Sequence, residues 1–271
     1  MLSIIIVQHN NQNLTIQAIE SISSNLSKDY EVIVVDNGSS DNDPNLLYEL
    51  FPDIKLIVNK VNLGFGKANN IGAERAGGGT LLFLNNDTII KSDFIEYIDN
   101  IFRDESSVGI IGPKLLNEDF SLQLSYDNLP SIINEFVTKF SSKLFYKNFK
   151  PVVKLKSRNY SQKKYVEFIT GAALFIRKKI FIELGGFDEQ IFMYFEDADL
   201  CKRVIDYGYK ILFVPNIEIV HLRGASWNKN NSGDLKNHYR KSQLFYYTKH
   251  RSAFENLLLK YYLLSSGKYS K

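Results

Sequence analysis

The sequence predicts an α/β protein with a mostly parallel central sheet, helices on both faces of the sheet and a helical extension at its C-terminus. Over the first 112 residues, short β-branched runs alternate with segments whose apolar residues recur every three to four positions, which is typical of a parallel sheet connected by helices. The chain has 271 residues, of which 44% are hydrophobic and 23% charged. This composition excludes a disordered, collagenous or coiled-coil protein, and the length suits one large domain or two small ones.

Five strands are predicted in this first part of the chain, with four helices between them. The strands are Ser3–Val7, Glu31–Asp36, Ile54–Val58, Thr80–Leu84 and Val108–Ile111. The helices are Asn13–Leu26, Asn45–Phe51, Gly66–Ala76 and Asp93–Phe102. Because sheets of this kind bind ligands at the carboxyl ends of their strands, the polar residues that follow each strand are the first candidates for a site.

The second part of the chain is less regular, and residues 113–165 are expected to form an irregular, basic insertion. Beyond it we predict a strand-like run at Val166–Ile176, a helix at Asp197–Tyr207 that Gly208 ends, short strands at Lys210–Val214 and Glu218–His221, and a basic, aromatic helix from about Lys236 to Leu264. The expected organisation is a domain over 1–235, with halves 1–112 and 166–235 around the insertion, and an extension over 236–271.

The net charge of +3 hides an uneven distribution of charge. Residues 139–164 contain nine Lys/Arg and no acid, and residues 236–271 contain eight Lys/Arg against the single acid Glu255. The other 209 residues therefore carry −13. An acidic body with two basic segments suggests a site that uses acids or a cation, and an anionic partner for the basic segments.

Three features favour a reducing, cytoplasmic compartment. Cys201 is the single cysteine, which excludes an internal disulfide. The run Met1–Val7 has no basic segment before it, so it predicts a buried strand and not a signal peptide. No apolar run has the length that spans a bilayer, and even Leu257–Leu264 is interrupted by Lys260.

Asp36 closes the second predicted strand and is followed by the turn sequence Asn37-Gly38-Ser39-Ser40-Asp41. A carboxylate at a strand end can accept a hydrogen bond from a nucleotide base or a ribose hydroxyl, and Gly38 allows a tight turn beside such a ligand. The same residues also suit a plain Asx turn.

The segment Asn62–Asn70 follows the third predicted strand and opens a helix. Its glycines, its amides and Lys67 could contact a diphosphate through backbone N–H groups and the positive end of the helix. Its spacing matches neither a P-loop nor a dinucleotide-binding fingerprint. Helix capping alone is an equally good explanation of the segment.

Two separate positions could hold a divalent metal ion. Asp87, in the sequence Asn85-Asn86-Asp87 after the fourth predicted strand, offers a hard oxygen to Mg²⁺ or Mn²⁺. His221, at the end of a short strand, offers a neutral imidazole. A metal ion that bridges two phosphates needs few protein ligands. Taken alone, Asp87 would also serve as a helix cap and His221 as an ordinary polar residue.

Glu196 and Asp197, at the start of a predicted helix, are the strongest single indication of catalysis. The helix dipole stabilises carboxylates there as anions, as a general base requires. Helix capping would need only one acid. The neighbouring aromatic residues Phe192, Tyr194 and Phe195 could line a sugar pocket or belong to the core.

Together these motifs resemble the family 2 glycosyltransferases of the GT-A fold, in particular the rhamnosyltransferase-like enzymes of bacterial polysaccharide biosynthesis. The resemblance covers about residues 1–112 and 166–250, in the family's order. It implies a Rossmann-like sheet and an inverting transfer of a sugar from a nucleoside diphosphate sugar to a hydroxyl of a glycan or lipid-linked acceptor. Rhamnose, from dTDP-rhamnose, is the expected sugar, and Mn²⁺ or Mg²⁺ is the expected cofactor.

The resemblance also implies roles for single residues. Asp197 would be the catalytic base and Glu196 would orient the acceptor, while Asp87 and His221 would bind the metal ion. Asn85 stands where the family's Asp-x-Asp metal motif has its first acid, a substitution familiar from rhamnosyltransferase-like members. The residues implied in donor binding are Gln8, Asn10, Asp36, Asn37, Gly38, Asn62, Gly64, Lys67, Asn69, Asn70, Asn85 and Asn86.

Two other functions stay open at this point. A sugar nucleotidyltransferase would show a Gly-rich, Arg/Lys-containing loop after the first strand, where this chain has His9–Gln12. A non-catalytic binding or scaffold protein of the same fold would have no need of the Glu196-Asp197 pair or of His221.

The helix predicted in the C-terminal extension interleaves cations with aromatic and aliphatic side chains. Through residues 236–264 it could contact the anionic inner leaflet of the membrane, where a lipid-linked acceptor would lie. Alternatively, its aromatic residues pack on the domain or at a homodimer interface. No nucleic-acid-binding motif accompanies the charge, so nucleic acid is not an expected partner.

Overall fold

The computed structural model of the chain describes residues 1–27, 29–40, 43–134, 160–222 and 232–265. Asp41, residues 135–159 of the predicted insertion and residues 266–271 of the predicted extension lie outside the described residues. The predicted division of the chain at residue 235 stays a prediction.

Strands and helices alternate over the first half of the chain, as the sequence predicts. The strands are β1 (Leu2–Gln8), β2 (Tyr30–Asn37), β3 (Lys55–Asn59), β4 (Thr80–Asn85), β5 (Thr88–Ile90), β6 (Val108–Leu116), β7 (Leu122–Gln123), β8 (Tyr126–Asp127), β9 (Lys164–Val166), β10 (Phe168–Ile169), β11 (Ala173–Arg177) and β12 (Lys210–His221). The helices are α1 (Gln12–Asn25), α2 (Pro44–Leu50), α3 (Phe65–Arg75), α4 (Ile95–Asp104), α5 (Lys178–Glu183), α6 (Glu196–Asp206), α7 (Ser232–His250) and α8 (Ala253–Ser265).

Ten of these strands form one mixed sheet in the order β3-β2-β1-β4-β11-β6-β12-β5, with β7 beside β6 and β9 beside β12. Strands β1 to β4 are parallel to one another, and β12 is parallel to β6. Strand β11 runs antiparallel between β4 and β6. The carboxyl ends of β1, β2 and β4 therefore meet at one edge of the sheet, next to the start of β11.

Both faces of the sheet are buried, as β1 illustrates. Ile4 and Ile6 belong to an apolar cluster that includes Ile22 of α1. Ile5 points to the other face, into a cluster that includes Ala73 of α3 and Leu200 of α6. Burial on both faces explains the uninterrupted apolar runs of the central strands. The predicted α/β architecture is confirmed.

The sequence pattern divides β12 into two strands, but the structure has one. Its pairing with β6 shifts register between Val214 and Glu218. Pro215 lies at this shift and has no N–H to donate to the ladder, which is why the pattern breaks there. Gly208, which follows α6, has a φ of +95°, so the predicted glycine end of that helix is confirmed.

The single helix predicted from about Lys236 to Leu264 is wrong, because the chain turns at Arg251 and Ser252 between α7 and α8. The Ser252 hydroxyl accepts the N–H of Glu255 at 3.2 Å, which caps the new helix. The Arg251 Nε donates to the Pro130 carbonyl at 2.8 Å. These contacts hold the turn, and α7 and α8 pack together around buried Tyr246, Tyr247, Leu259 and Leu263.

Candidate active site

A cleft of about 610 Å³ opens at the carboxyl ends of β1 and β4. It brings together side chains that are up to about two hundred positions apart, because β4, β12 and α6 all present residues at this edge of the sheet. Of the residues predicted from the sequence, those that line it are Asn10, Asn37, Asn62, Asn85, Asn86, Asp87, Glu196, Asp197 and His221.

Asp36 and Gln8 lie beneath the cleft. The Gln8 Nε2 donates to Asp36 Oδ2 at 2.7 Å, and the Ser39 N–H donates to Asp36 Oδ1 at 2.8 Å. Asp36 is only 1% exposed. In this arrangement the Asp36 carboxylate orders the end of β2 and the turn after it, and its contact with a nucleotide base stays a prediction.

Asn37 organises the loop that leads into α3. Its Nδ2 donates to Asn62 Oδ1 at 2.9 Å, and its Oδ1 accepts the N–H of Leu63 at 3.0 Å. Asn62 Oδ1 also accepts the N–H of Gly64 at 3.0 Å. A network that uses both the amide nitrogen and the amide oxygen of Asn37 fixes the wall of the cleft at this point.

Gly38 and Gly64 both have backbone angles that favour glycine, with φ of +74° and +87°. A Cβ on Gly38 would lie 2.4 Å from the Val61 carbonyl carbon, and a Cβ on Gly64 would lie 2.4 Å from the Phe192 carbonyl oxygen. The glycines therefore allow two backbone segments to approach each other beside the cleft.

Besides Gln8, Asp36, Gly38 and Gly64, three further residues predicted to bind the donor do not line the cleft. Lys67 pairs with Glu189 at 2.8 Å, and Asn69 Nδ2 donates to the Phe65 carbonyl at 3.0 Å. Asn70 holds the backbone of Phe187 through its Nδ2 and Oδ1, at 2.9 and 2.8 Å. The contacts of Lys67 and Asn70 tie α3 to the loop before α6, whereas that of Asn69 lies within α3. Donor binding by the three residues stays a prediction.

The loop after β1 is held in an uncommon backbone conformation. Asn10 and Asn11 have φ of 60° and 57°, a region that asparagine tolerates better than most residues. The Asn10 N–H donates to Ser39 Oγ at 2.8 Å, and its Oδ1 accepts the Ser40 N–H at 3.0 Å. The loop is thereby tied to the turn after β2, and Asn10 borders the cleft.

Asp87 and His221 are brought together at the opposite end of the cleft. Strand β5 pairs with the last residues of β12, which places His221 opposite Thr88. The His221 Nε2 lies 3.2 Å from Asp87 Oδ1 and 3.4 Å from the Asn85 Nδ2. Asn86 points away from this pair and donates to Thr15 Oγ1 at 3.3 Å.

Gln123 is a component of this pair that sequence reasoning missed. Its Oε1 lies 2.6 Å from His221 Nδ1, and its Nε2 donates to Asn117 Oδ1 at 2.9 Å and to the His221 carbonyl at 3.3 Å. Since the amide nitrogen is used by two carbonyl oxygens, Oε1 faces the ring and Nδ1 must carry the proton. No motif marks Gln123, because only the pairing of β7 with β6 brings it here.

Glu196 and Asp197 begin α6 at the centre of the cleft. Asp197 Oδ2 accepts the N–H of Gly171 at 2.9 Å, and its Oδ1 accepts the N–H of Ala198 at 2.8 Å. Glu196 is buried, and its Oε2 has no hydrogen-bond partner among the described residues. Asp197 is thus held by backbone groups, whereas Glu196 keeps an oxygen for a ligand.

Burial changes the ionisation of both carboxyls. It raises the pKa of Glu196 to about 8, with the adjacent negative charge of Asp197 as a second cause. Burial also raises the pKa of Asp197, against the opposing effect of the Gly171 and Ala198 N–H groups. A pair of carboxyls with raised pKa values in a cleft is typical of acid–base chemistry.

The backbone before α6 is strained at the residues that position this pair. Tyr194 and Phe195 have φ of 65° and 69°, values that cost energy for aromatic residues and that occur preferentially at functional sites. Tyr194 and Phe192 line the cleft. Phe195 packs into the apolar cluster of α7 and α8. From the sequence, these aromatic residues could either line a pocket or belong to the core. In the structure Phe192 and Tyr194 line the cleft, and Phe195 is in the core.

Helix α7 supplies one more wall of the cleft, through Asp234, Leu235 and His238. The His238 ring stacks on Phe192, with centroids 4.4 Å apart. This wall was not predicted, because the helix was expected to begin at about Lys236 in a separate extension, whereas it begins at Ser232.

A buried ion cluster fixes α7 to α6. Asp199 is fully buried and accepts from Arg203, Lys249 and His250, each at 2.7 Å. Burial alone would raise the pKa of Asp199, but the hydrogen bond from His250 and the Arg203 charge lower it to about 2. Part of the positive charge of the extension is therefore neutralised inside the protein.

Two family models match the chain. The model described as "Glycosyl transferase family 2" matches residues 3–185, and the model described as "N-terminal domain of galactosyltransferase" matches residues 152–223. Together they span all the cleft residues contributed by the strands and by α6.

Relatives of known name and solved structures agree with these matches. The chain is 26% identical over 242 residues to N-acetylglucosaminyl-diphospho-decaprenol L-rhamnosyltransferase of Mycobacterium tuberculosis, covering 85% of this chain and 78% of the relative. It is 27% identical over 244 residues to rhamnosyltransferase WbbL of Escherichia coli, and the match covers 82% of this chain and 83% of that relative. The structure resembles GalNAc-T7 with UDP, GalNAc and Mn²⁺, with a TM-score of 0.63 and 18% identity, over 90% of this chain but only 48% of that one. This likeness confirms the GT-A fold.

Proposed function

The chain belongs to glycosyl transferase family 2, and we propose that it transfers rhamnose from dTDP-rhamnose, with inversion, to a hydroxyl of a glycan or lipid-linked acceptor. Its class, a glycosyltransferase, follows from the family and from the named relatives. The single observation that carries the proposed metal-assisted displacement is the cleft that Glu196 and Asp197 share with Asp87 and His221.

The sugar and the acceptor are proposed from the relatives. Both named relatives are rhamnosyltransferases, and the name of one specifies an acceptor on a decaprenyl diphosphate. Such an acceptor is anchored in a membrane, so we propose that the chain works at the inner face of the cytoplasmic membrane, with residues 236–264 as its contact.

The side chains of Asp87 and His221 fit a divalent metal ion, Mn²⁺ or Mg²⁺. Because Gln123 Oε1 occupies Nδ1, the other ring nitrogen of His221, Nε2, faces Asp87 Oδ1 across 3.2 Å, a pairing that a metal cation between the two atoms would stabilise. A carboxylate oxygen and an imidazole nitrogen are both ligands of Mn²⁺. When bound, the ion would neutralise negative charge on the leaving nucleoside diphosphate.

Two protein ligands make a weak site by themselves. Among the described residues, no group of three or more His, Cys, Asp or Glu side chains could hold a metal ion. We therefore expect phosphate oxygens of the donor to complete the site, and metal binding to be much tighter with the nucleotide than without it.

The reaction is a single displacement at the anomeric carbon. The acceptor hydroxyl oxygen forms the new bond to that carbon as the bond from the carbon to the diphosphate oxygen breaks, and the electron pair leaves with the nucleoside diphosphate. Asp197 takes the hydroxyl proton, while the N–H groups of Gly171 and Ala198 keep its carboxylate in place. Glu196, whose pKa is about 8, keeps its proton at neutral pH and can hydrogen-bond the acceptor.

The test combines donor binding with turnover. We expect dTDP-rhamnose to raise the melting temperature more than other nucleotide sugars do, and only with Mn²⁺ or Mg²⁺ present. Asp197→Asn should lose at least about a hundredfold in turnover but retain metal-dependent binding of dTDP. The matched control is Asp206→Asn, an exposed acid at the far end of the same helix, which should keep full turnover.

Full activity of Asp197→Asn would overturn the assignment of the base. A shift with another nucleotide sugar but none with dTDP-rhamnose would overturn the proposed donor. Donor binding without hydrolysis or transfer under any condition would favour a non-catalytic binding protein.

A further inference from the structure

The segment Thr170-Gly171-Ala172 connects β10 to β11, and we call it the 170–172 loop. All three residues line the cleft. The sequence pattern predicts one strand-like run over Val166–Ile176, whereas the structure interrupts that run at these residues. Of this loop, the proposed reaction uses only the Gly171 N–H, which holds Asp197.

The 170–172 loop connects the proposed base to the proposed metal site. Its Gly171 N–H donates to Asp197 Oδ2 at 2.9 Å, and its Ala172 carbonyl accepts the N–H of Asn85 at 2.9 Å. The Asn85 Nδ2 in turn lies 3.4 Å from His221 Nε2. Two adjacent residues of the loop therefore contact the two groups of side chains between which the reaction takes place.

The displacement places the transferred sugar next to this loop. In a displacement with inversion, the attacking oxygen and the leaving oxygen lie on opposite sides of the anomeric carbon, roughly in line. Asp197 takes the proton of the attacking oxygen, while Asp87 and His221, 3.2 Å apart, mark the place of the leaving diphosphate. The sugar must therefore lie between Asp197 and the Asp87–His221 pair, along the stretch that the 170–172 loop spans.

Hydrogen bonds fix the backbone of Thr170 beside that space. The Thr170 N–H donates to the carbonyl of Ser125 at 3.0 Å, and Ser125 is fully buried. The Ser125 N–H donates to the Tyr160 hydroxyl at 3.2 Å, and the Tyr160 ring stacks on Tyr126 with centroids 4.2 Å apart. A side chain on a backbone held in this way stays in one place, as a group that selects a substrate requires.

The Thr170 hydroxyl is available to a ligand. The side chain is half-buried, and its hydroxyl makes no hydrogen bond to any residue that the structure describes. The nearby Thr88 differs, since its Oγ1 donates to the Asn85 carbonyl at 2.7 Å. A threonine hydroxyl can both donate and accept a hydrogen bond, which suits the hydroxyl groups of a sugar.

Gly171 keeps the space next to Asp197 open. A Cβ at this position would lie 3.4 Å from the Asp197 Cβ and 3.7 Å from the Phe65 Cε1, which are ordinary contact distances. The backbone would therefore accept alanine, and the fold itself does not require glycine here. A methyl group would instead take up space between Asp197 and Phe65, both of which line the cleft.

We propose that the 170–172 loop is the subsite for the transferred sugar, and that the Thr170 hydroxyl forms a hydrogen bond with one of the sugar's hydroxyl groups and thereby helps to select the sugar. The proposal deepens the proposed function and rests on it, because the place of the sugar follows from the displacement at the anomeric carbon.

The test compares the affinities of dTDP-rhamnose and dTDP, each with Mn²⁺, by calorimetry. Thr170→Val removes the hydroxyl at nearly unchanged volume, and it should weaken dTDP-rhamnose binding about tenfold and dTDP binding by less than about twofold. Thr170→Ser keeps the hydroxyl and should bind both ligands nearly as the parent does. The matched control is Thr80→Val, the same change at the opposite end of β4 and outside the cleft, which should leave both affinities unchanged.

Gly171→Ala tests the same space without any change to Thr170. Its methyl group should weaken dTDP-rhamnose binding by about tenfold or more, because it occupies the place of the sugar. The affinity for dTDP and the melting temperature of the free protein should stay close to those of the parent, since the new contacts are at ordinary distances.

Two results for Thr170→Val would overturn the sugar subsite: unchanged affinity for both ligands, or an equal loss for both, which would place the hydroxyl at the diphosphate. If the parent binds neither ligand, the same comparison is made with UDP and UDP-N-acetylglucosamine and with GDP and GDP-mannose. A parent that binds none of these pairs would overturn both the subsite and the proposed function. A parent that shows the expected difference between a sugar nucleotide and its diphosphate but transfers no sugar would count against the function alone.

Discussion

The Oε1 atom of Gln123 lies 2.6 Å from the Nδ1 atom of His221, and this contact determines which ring nitrogen faces Asp87. The two residues are 98 positions apart and meet because β7 and β12 both pair with β6. A hydrogen bond to the outer nitrogen of a metal-binding histidine fixes its tautomer and makes the inner nitrogen a better ligand. Gln123 is therefore a positioning residue of the proposed metal site, since it acts on the metal through His221.

Gln123→Leu is expected to weaken Mn²⁺ binding in the presence of dTDP by about tenfold to a hundredfold. The leucine leaves Nδ1 without its acceptor, so the ring can adopt the other tautomer or rotate. Calorimetry or the electron paramagnetic resonance signal of free Mn²⁺ measures this without any turnover. Gln17→Leu, an exposed position of α1, should bind as the parent does, and an unchanged affinity in Gln123→Leu would refute the positioning role.

Glu196→Gln is expected to stabilise the protein increasingly as the pH rises. The folded-state pKa of about 8 lies above the ordinary value of 4.5, so the folded chain holds a proton that the unfolded chain releases between these values. Folding stability therefore falls as the pH rises through this window. Glutamine does not ionise, so the Glu196→Gln protein does not lose stability in this way. The test compares the melting temperatures of Glu196→Gln and the parent at pH values across this window. The control is Glu74→Gln, on the exposed side of α3, which should melt as the parent does at each pH. A difference between Glu196→Gln and the parent that is the same at all pH values would contradict the prediction.

Asp199→Asn is expected to lower the free energy of unfolding by about 3 kcal/mol, because Arg203 and Lys249 keep their positive charges without the buried carboxylate and His250 loses the carboxylate oxygen on its Nε2. The folded-state pKa of about 2 lies below the ordinary 3.8, so this stabilisation is complete above 3.8 and is lost as the pH falls through 2.

Urea unfolding at neutral and at acidic pH tests the Asp199 prediction. Asp206→Asn, in the same helix but exposed, should change the stability by less than about 1 kcal/mol. Equal unfolding midpoints for Asp199→Asn and the parent at neutral pH would show that the cluster does not hold α7 on the domain.

Gly64→Ala is expected to destabilise the protein by about 2 kcal/mol and to weaken donor binding. The φ of +87° strains any other residue, and the new Cβ would lie 2.4 Å from the Phe192 carbonyl oxygen. Gly79→Ala is the matched control, since nothing lies within 4 Å of its Cβ. Unfolding curves and thermal shifts with dTDP test both effects. A Gly64→Ala protein as stable as Gly79→Ala would mean that the loop before α3 moves away without cost.

Much of the fold was predictable because its strands are buried on both faces. Ile4, Ile5 and Ile6 are all fully buried, and such a run can be recognised without knowing which residues cover it. The helix–strand alternation up to Val108 follows from the same periodicity. The end of α6 at Gly208 was predictable because it is a local property of the backbone.

The catalytic and metal candidates were also found from the sequence, but not their relation to one another. Asp87 follows a buried strand, Glu196 and Asp197 begin a helix, and His221 ends a strand. Each of these positions can be recognised from a short segment of the sequence. Their place in one cleft depends on the pairing of β5 with β12, which no local pattern specifies.

The sequence by itself determined the α/β class, the positions of the main strands and the residue types available for chemistry, because these depend on periodicity and on residues adjacent in the chain. Only the tertiary structure decided that Gln123 sets the tautomer of His221, that Asn70 fastens a loop, and that the basic extension is two helices with one apolar face buried and one exposed. These features arise from contacts between segments far apart in the sequence, whose energies depend on three-dimensional proximity and not on any pattern along the chain.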